Sequence, residues 1–300
     1  MSVILAALFD HWWGEPAARV HPVVWMGRYL GWAGRSLPSR RAPVALILGT
    51  AYWIAGAAIV AVVYACAGRA LALLPMWIEV PLVALLLKPL FALRMLLDEV
   101  RAVESSLAQG IQSGRARLAW IVSRDTASLD ADEIRESSLE SLAENLADSV
   151  VAPLFWFSVF GLPGAAVYRF ANTADAMWGY RGRWEWAGKF AARVDDLLNI
   201  VPARLTALAL LPGRARCWRL LRALPAQAAL TPSPNSGWPM AALALRLNVR
   251  LRKPRSYALN ATGRSPTQAD FDAALRLVTA TAWSLVAVLS IASEVVRDVI

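Results

Sequence analysis

The feature that most constrains this chain is a run of 26 residues without a single charge, from residue 43 to residue 68. About 20 apolar residues are enough for a helix to cross the hydrocarbon core of a bilayer. Residues 149–168 and 277–293 also lack charges, and residues 70–87 contain only Glu79 as a charged residue. The sequence therefore predicts an all-α, polytopic integral membrane protein with about four or five membrane segments.

The overall composition supports this class of protein. Hydrophobic residues make up 57% and charged residues 18% of the chain, against roughly 45–50% and about 25% in soluble domains. This excludes a disordered chain, a coiled coil and a disulfide scaffold. The two cysteines, Cys66 and Cys217, and the two histidines, His11 and His21, are too few for a cysteine zinc site or a histidine-rich metal centre.

The net charge of +9 indicates orientation in a membrane rather than binding to nucleic acid, because the basic residues flank apolar segments. The 14 tryptophans suit the lipid interface, where an indole ring is apolar and its N–H still finds a partner. We expect residues 35–41 and 213–276 to be cytoplasmic and the protein to be multi-pass in the cell inner membrane. Residues 169–196 are also basic, which favours a re-entrant segment at 149–168 over a simple span.

The chain is predicted to form one membrane domain over residues 1–300. A helical region of mixed charge at 91–148 is expected to be amphipathic and cytosolic, and a central motif block covers 123–205. The apolar residues 197–212 are a further candidate segment. A basic C-terminal loop at 213–276 is expected to precede the last membrane helix at 277–293.

Four carboxylates recur every fourth residue in the acidic part of the chain: Glu136, Glu140, Glu144 and Asp148. On a helix they share one face, and like charges at this spacing repel one another. A solvated face with cations such as Arg135 nearby would explain them. A magnesium site at Glu140, Glu144 and Asp148 is the functional interpretation, because hard cations prefer carboxylate oxygens.

Three polar clusters lie beside apolar segments, at residues 123–126, 172–175 and 193–196. Polar groups at membrane depth cost several kcal/mol unless they are paired, so a shared polar site is the better explanation. Asp175 or Asp195 is expected to complete the magnesium shell from a second helix. The arginines of the clusters either pair with a nearby aspartate or hold a phosphate or carboxylate with two donors.

These clusters, in this order, resemble the CbiB/CobD family of cobalamin biosynthesis, the adenosylcobinamide-phosphate synthases. The matching stretches are HPVVWMGRYL at 21–30, SRDTASL at 123–129, ESLAENLADSVVAPLFW at 140–156, NTADAMWGY at 172–180, ARVDDLLNIVPARL at 192–205 and SPNSGWP at 233–239. The resemblance covers most of the chain, and its central block is the most specific part because several rare motifs recur in order.

The resemblance implies a membrane enzyme that joins adenosylcobyric acid to (R)-1-aminopropan-2-ol, or its O-phosphate, through an amide at a ring propionate. It implies an ATP- and Mg²⁺-dependent ligase with a corrinoid substrate, and a complex with later membrane enzymes of cobalamin assembly. A large cavity with an aromatic rim is expected for the corrinoid, supplied by Trp156, Trp178, Tyr180, Trp184 and Trp186.

The clusters and the resemblance together give two groups of site residues. The predicted catalytic residues are Arg124, Asp125, Glu140, Asn172, Asp175, Arg193 and Asp195. The predicted substrate-binding residues are His21, Tyr180, Asp196, Asn199, Arg204 and Asn235.

The chain departs from the family pattern in three places. Residues 14–16 read Gly-Glu-Pro where the family has Gly-Asp-Pro, and residues 224–230 lack an Arg-Asp pair that usually precedes the SPN motif. A glycine-rich stretch that follows SPN in the family is altered here, to Ala244-Leu245 and Arg252-Lys253. A variant substrate or a lower activity follows if those family residues contact the substrate.

Two other classes of function remain open. A membrane prenyltransferase would use Asp195, Asp196 and Asn199 to hold Mg²⁺-diphosphate, but a second aspartate-rich motif of that spacing is missing. A non-catalytic membrane regulator could retain the same fold.

Overall fold

A computed structural model describes residues 1–211 and 217–299, and the regular structure there is helical apart from one short β-hairpin. The helices are α1 (Ser2–Trp13), α2 (Pro22–Gly34), α3 (Ala42–Leu71), α4 (Met76–Leu87), α5 (Leu93–Gln109), α6 (Ile111–Leu118), α7 (Ala131–Leu146), α8 (Ala152–Trp178), α9 (Lys189–Leu210), α10 (Cys217–Ala228), α11 (Gly237–Leu247) and α12 (Gln268–Val299). Two short strands, β1 (Leu251–Lys253) and β2 (Tyr257–Leu259), pair antiparallel. The predicted all-α class is confirmed.

Four helical stretches are long and apolar enough to cross a membrane: Ala42–Leu71, Met76–Gln109, Ala131–Trp178 and Gln268–Arg297. They include the charge-free runs at 43–68, 149–168 and 277–293, so the polytopic class is confirmed at four candidate spans. Of the predicted segment at 197–212, residues 197–210 lie in α9, which is not among these four stretches.

The described chain divides into two compact units. Unit 1 contains residues 1–92 and 152–199 and the part of α12 that begins at Val286. Within it, α3 packs against α8, and α2 packs against both of these helices. Gly56 makes this close packing possible, because a Cβ atom there would lie 2.4 Å from the Phe170 ring and 2.5 Å from the Tyr29 ring.

Helix α8 is broken in the middle, at Phe160 and Gly161. Gly161 has a φ of 64°, which a glycine adopts without a steric penalty, and Pro163 follows two residues later. The irregularity that the Gly-Leu-Pro-Gly sequence predicts is therefore present. The re-entrant course of residues 149–168 stays a prediction.

Unit 2 contains residues 93–151 and 200–285. Helix α7 begins at a capping box, in which Asp130 accepts from the Glu133 backbone N–H and Glu133 accepts from the Asp130 N–H. Helices α5, α6 and α11 and strand β1 all pack against α7. A five-residue π-helical turn, Ala147–Val151, follows it directly.

The basic segment at 213–276 differs from the expected loop. Its described part contains α10, α11 and the β1–β2 hairpin, and α12 begins at Gln268 rather than at residue 277. Polar residues extend α12 at its start, so the charge-free run marks only the apolar part of a longer helix. Residues 212–216 lie outside the described residues.

Candidate functional site

The predicted aspartates and asparagines of unit 1 converge at the facing sides of α8 and α9. Asp195 Oδ1 accepts a hydrogen bond from Asn172 Nδ2 at 3.4 Å, and Asp195 Oδ2 accepts from Asn199 Nδ2 at 3.2 Å. Tyr168 donates to Asn199 Oδ1 at 2.9 Å and so fixes the orientation of that amide. The local cause is helical spacing: Asn172 and Asp175 are one turn apart on α8, as are Asp195 and Asn199 on α9.

Asp195 is the most unusual group of this cluster. Its side chain is buried, two amides hold it, and no lysine, arginine or histidine in the described parts of the chain forms an ion pair with it. Burial raises the pKa of Asp195 to about 7, and repulsion from the Asp175 carboxylate adds to the increase. The pKa of the neighbouring Asp196 is also raised by burial, although Arg193 opposes this increase.

Two further predicted residues of this region lie at the surface. Tyr180 is exposed in the segment between α8 and α9, and Arg193 is exposed on the first turns of α9. Arg193 acts electrostatically on Asp196. Of the unit 1 residues in the central block, the structure thus brings Asn172, Asp175, Asp195, Asp196 and Asn199 together.

The predicted residues of unit 2 include an ion pair between Arg124, in the segment before α7, and Glu140 on α7. Arg124 donates through Nη2 to Glu140 Oε2 at 2.7 Å and through Nη1 to Ser137 Oγ at 3.1 Å. Glu140 is 1% exposed. Its second oxygen, Oε1, is buried, and the Tyr257 hydroxyl interacts with this carboxylate in addition to Arg124. Tyr257 of the hairpin is nearby, and its pKa is raised by burial and by the Glu140 carboxylate.

Asp125 is not the partner of Arg124, although the two are adjacent in sequence. The Asp125 carboxylate instead accepts from the Ala127 backbone N–H at 2.9 Å, which closes a turn before α7. The partner of Arg124 is 16 residues away, so the expectation of pairing between sequence neighbours is wrong for this arginine.

The acidic face of α7 is buried rather than solvated. Glu136 is 0% exposed, and both of its oxygens accept hydrogen bonds from Arg250 and Arg252 at 3.0–3.2 Å. Arg135 does not serve this face, because it donates to Glu104 on α5. The interpretation of a solvated face with Arg135 as its cation is therefore wrong, and the carboxylate repulsion is offset by arginines from the hairpin.

The predicted magnesium ligands occupy two kinds of backbone. Glu140 and Glu144 lie on successive turns of α7, while Asp148 lies in the π-helical turn, a feature that is frequent at functional sites. Among residues 1–211 and 217–299, no group of three or more histidine, cysteine, aspartate or glutamate side chains is arranged to hold a metal ion. The magnesium assignment, including its completion by Asp175 or Asp195, stays a prediction.

Within unit 2, the Pro-Ala-Arg sequence at 202–204 contacts the SPN motif at 233–235. Arg204 donates to Asn235 Oδ1 at 3.1 Å and to the Ile200 carbonyl oxygen at 2.7 Å, and its guanidinium lies 4.6 Å from the centre of the Trp238 ring. Asn235 is buried. The structure brings these two predicted residues together, and Arg204 acts there as a positioning residue for the SPN turn.

His21 belongs to a separate ionic network in unit 1. It caps α2 through Nδ1, which accepts from the Val23 N–H at 3.2 Å, and its Nε2 lies 2.8 Å from Glu15 Oε2. The buried Lys88 Nζ lies 3.0 Å from Glu15 Oε1 and 3.4 Å from Asp10 Oδ1. His21 thus belongs to a network with Asp10, Glu15 and Lys88. Sequence analysis missed Lys88, although its position as the first charged residue after the apolar residues 80–87 could have indicated it.

Comparisons with known proteins agree with these motifs. A family model described as CobD/Cbib protein matches residues 3–279. A "Probable cobalamin biosynthesis protein CobD" of Pyrococcus abyssi (strain GE5 / Orsay) is 41% identical over 96% of this chain and 95% of the relative. Proteins named "Cobalamin biosynthesis protein CobD" from Brucella suis biovar 1 and Chromobacterium violaceum are 38% and 42% identical, each over at least 95% of both chains. No solved structure matches the chain.

Proposed function

The chain belongs to the CobD/CbiB family, and we propose that it joins adenosylcobyric acid to (R)-1-aminopropan-2-ol, or to its O-phosphate, through an amide bond at a ring propionate. Relatives named for cobalamin biosynthesis, aligned over nearly their whole length, support a role in that pathway. Four candidate spans support a membrane enzyme, which we assign to the inner membrane. The observation that carries the catalytic proposal is the buried Asp195 carboxylate, which is held by two amides and has no basic partner in the described chain.

Amide formation needs a base because the amine arrives as an ammonium ion, whose lone pair is occupied by a proton. Asp195 suits this task, since its pKa of about 7 lets it take up and release a proton near neutral pH. Asn172 and Asn199 fix both carboxylate oxygens. The proton moves from the substrate nitrogen to a carboxylate oxygen of Asp195. The nitrogen lone pair is then free to attack the carboxyl carbon of the activated propionate, which releases the activated oxygen as the leaving group.

The propionate must also be activated, because one of its oxygens has to become a leaving group. ATP would supply that activation when bound, and Mg²⁺ would neutralise charge on its phosphoryl oxygens. Arg124 presents a fixed guanidinium that matches an anionic oxygen, and Glu140 and Ser137 hold it in place.

The residues of α7 fit a magnesium ion in their donor chemistry. Glu140 Oε1 is a buried carboxylate oxygen, and Glu144 follows one turn later. Magnesium usually takes one or two protein carboxylates and fills its other positions with water and substrate phosphate. We propose that Glu140, Glu144 and Asp148 would hold it.

The decisive experiment uses the full-length protein in lipid nanodiscs with adenosylcobyric acid, Mg-ATP and either aminopropanol or its O-phosphate. We expect a product whose mass equals the sum of the acid and the amine minus one water, read by mass spectrometry. Absence of product with both amines would contradict the proposal. Turnover of isoprenyl diphosphate in a parallel reaction would favour the prenyltransferase alternative, and failure to rescue a cobinamide-formation mutant would favour a non-catalytic regulator.

The magnesium ligands can be tested by titration. We expect Glu140→Gln and Asp148→Asn each to raise the Mg²⁺ concentration that gives half-maximal amide formation, because each change removes a charged oxygen ligand. The matched control is Asp132→Asn, on the first turn of the same helix. Identical titration curves for the control and both variants would remove these residues from the metal site.

Arg124→Lys tests the anion-binding role. Lysine keeps the positive charge but cannot bind Ser137, Glu140 and a ligand with one planar group. We expect membrane yield near that of the wild type and amide formation lowered at least about tenfold, which equals about 1.4 kcal/mol in the barrier.

The control is Arg135→Lys, since Arg135 makes a similar paired contact with Glu104 on the far side of α7 from this site. We expect that variant to keep its activity per folded molecule. Lost yield with normal specific activity in Arg124→Lys would show that Arg124 only supports the fold.

A further inference from the structure

Unit 1 contains an apolar cavity of about 520 Å³ that the proposed reaction does not use. Helix α2 contributes Trp25, Met26 and Tyr29 to its wall, and α3 contributes Val60, Val63 and Tyr64, among other residues. Its size lies within the range of small-molecule sites, roughly 300–1,000 Å³. Its lining offers almost no hydrogen-bonding group, which disfavours both trapped water and a corrinoid with its polar side chains.

The cavity opens on the side of α3 that faces away from the protein. Ile59 and Val63 line it and are each 57% exposed, and Trp25 at its edge is 53% exposed. Only 22% of the most apolar stretch of α3 is buried inside the protein. Because α3 is a candidate membrane span, the medium outside this opening is hydrocarbon.

The length of the cavity matches one leaflet of a bilayer. Its α3 wall runs from Gly56, near the middle of the helix, to Ala67, close to its end. Eleven residues at 1.5 Å each give about 16 Å, which is half of a hydrocarbon core of about 30 Å. We propose that the cavity binds one acyl chain of a membrane phospholipid, with the chain end at Gly56.

An acyl chain bound in the cavity also affects the stability of the ionic network of Glu15, His21 and Lys88. Glu15, His21 and Lys88 are each followed directly by a proline, and all three prolines line the cavity. The network therefore lies directly behind the cavity wall. An acyl chain in the cavity keeps water away from these ion pairs and so preserves their strength, since water would screen them.

The test uses the full-length protein in nanodiscs of phosphatidylethanolamine and phosphatidylglycerol, doped with phosphatidylethanolamine that carries a diazirine at the end of one acyl chain. After illumination, mass spectrometry locates the cross-links. We expect them to concentrate on Tyr29 and Phe170, which line the cavity directly beside Gly56, where the labelled chain end is placed. Cross-links spread evenly over the exposed face of α3 would overturn the proposal.

A pair of identical substitutions provides the control. Val60→Trp fills the cavity, whereas Val62→Trp places the same ring on the exposed face two residues away. We expect cavity cross-links to be lost in the first variant and kept in the second. Cavity labelling that persists in Val60→Trp would refute the proposal.

A second measurement does not depend on whether Val60→Trp folds. Wild-type protein stripped of lipid should melt at a lower temperature than protein in nanodiscs, and added phospholipid should restore the melting temperature. No recovery with phospholipid, or recovery with an isoprenoid alcohol only, would overturn the assignment. None of these readouts measures amide formation, so their failure is distinguishable from failure of the proposed function.

Discussion

Replacing Asp195 by asparagine is expected to lower the rate of amide formation by about 10²–10⁴-fold and, above pH 7, to raise the melting temperature. The rate falls because an amide cannot accept the proton of the attacking amine. General bases contribute about 10²–10⁴-fold to the rate, so we expect a loss in that range. In the wild type, amide formation should rise with pH through about 7, where the Asp195 carboxylate ionises.

The gain in stability follows from the direction of the pKa shift. Burial first, and then repulsion from Asp175, raises the pKa of Asp195 from 3.8 to about 7. The folded state therefore prefers the protonated acid, and the resulting stability is fully present below the unfolded pKa and lost as pH rises through about 7. The increase of this pKa from 3.8 to about 7 sets an upper limit of about 4 kcal/mol for the loss of stability at pH 8.

Thermal melts of detergent-solubilised protein at pH 5 and pH 8, combined with the amide assay, measure both effects. The control is Asp272→Asn, at an exposed position on α12, for which we expect no change in either quantity. An Asp195→Asn variant with wild-type activity, or one that melts at a lower temperature than the wild type at pH 8, would contradict the assignment.

Replacing Glu136 by glutamine is expected to destabilise the protein strongly while preserving the shape of the side chain. Glu136 is fully buried and accepts hydrogen bonds from two arginines, Arg250 and Arg252. Removing one partner of a buried ion pair typically costs about 3–5 kcal/mol. The two arginines are 26% and 33% exposed and can recover some hydration, so we expect about 3 kcal/mol, the lower end of that range.

The matched control is Glu133→Gln, one turn earlier on α7. Its carboxylate lies 3.7 Å from Arg252 and is partly exposed, so its ion pair contributes less than about 1 kcal/mol. Unfolding midpoints in detergent compare the two variants. Equal losses of stability, or a Glu136→Gln variant as stable as the wild type, would refute the assigned role of Glu136.

The sequence predicts the membrane class and the break in α8 well, because both depend on residues that are close along the chain. Helical spacing alone also brings Asn172 close to Asp175, and Asp195 close to Asn199. The convergence of these pairs followed from the cost of polar groups at membrane depth. Tyr168 could not be found in the same way, because a single tyrosine in an apolar run has no local signature.

Ion pairs between distant parts of the chain are the contacts that the sequence predicts least well. Pairing with a neighbouring aspartate is one of two roles that the sequence allows for Arg124, whereas its partner in the structure, Glu140, is 16 residues away. The cations for Glu136 come from a segment 114 residues further along the chain. No spacing rule encodes such contacts, because they depend on the packing of β1 against α7. Burial of Glu136 and Glu140 has the same origin.

The contact between Glu136 and Arg250 also limits how early the protein can complete its folding during synthesis. Its two partners are separated by 114 residues. At a synthesis rate of roughly 5–20 residues per second, Arg250 leaves the ribosome about 6–23 s after Glu136. During that interval Glu136 has been made but its counter-charges, Arg250 and Arg252, have not. The Glu136 carboxylate must therefore stay hydrated until these two arginines are made, so its burial follows the synthesis of Arg250 and Arg252.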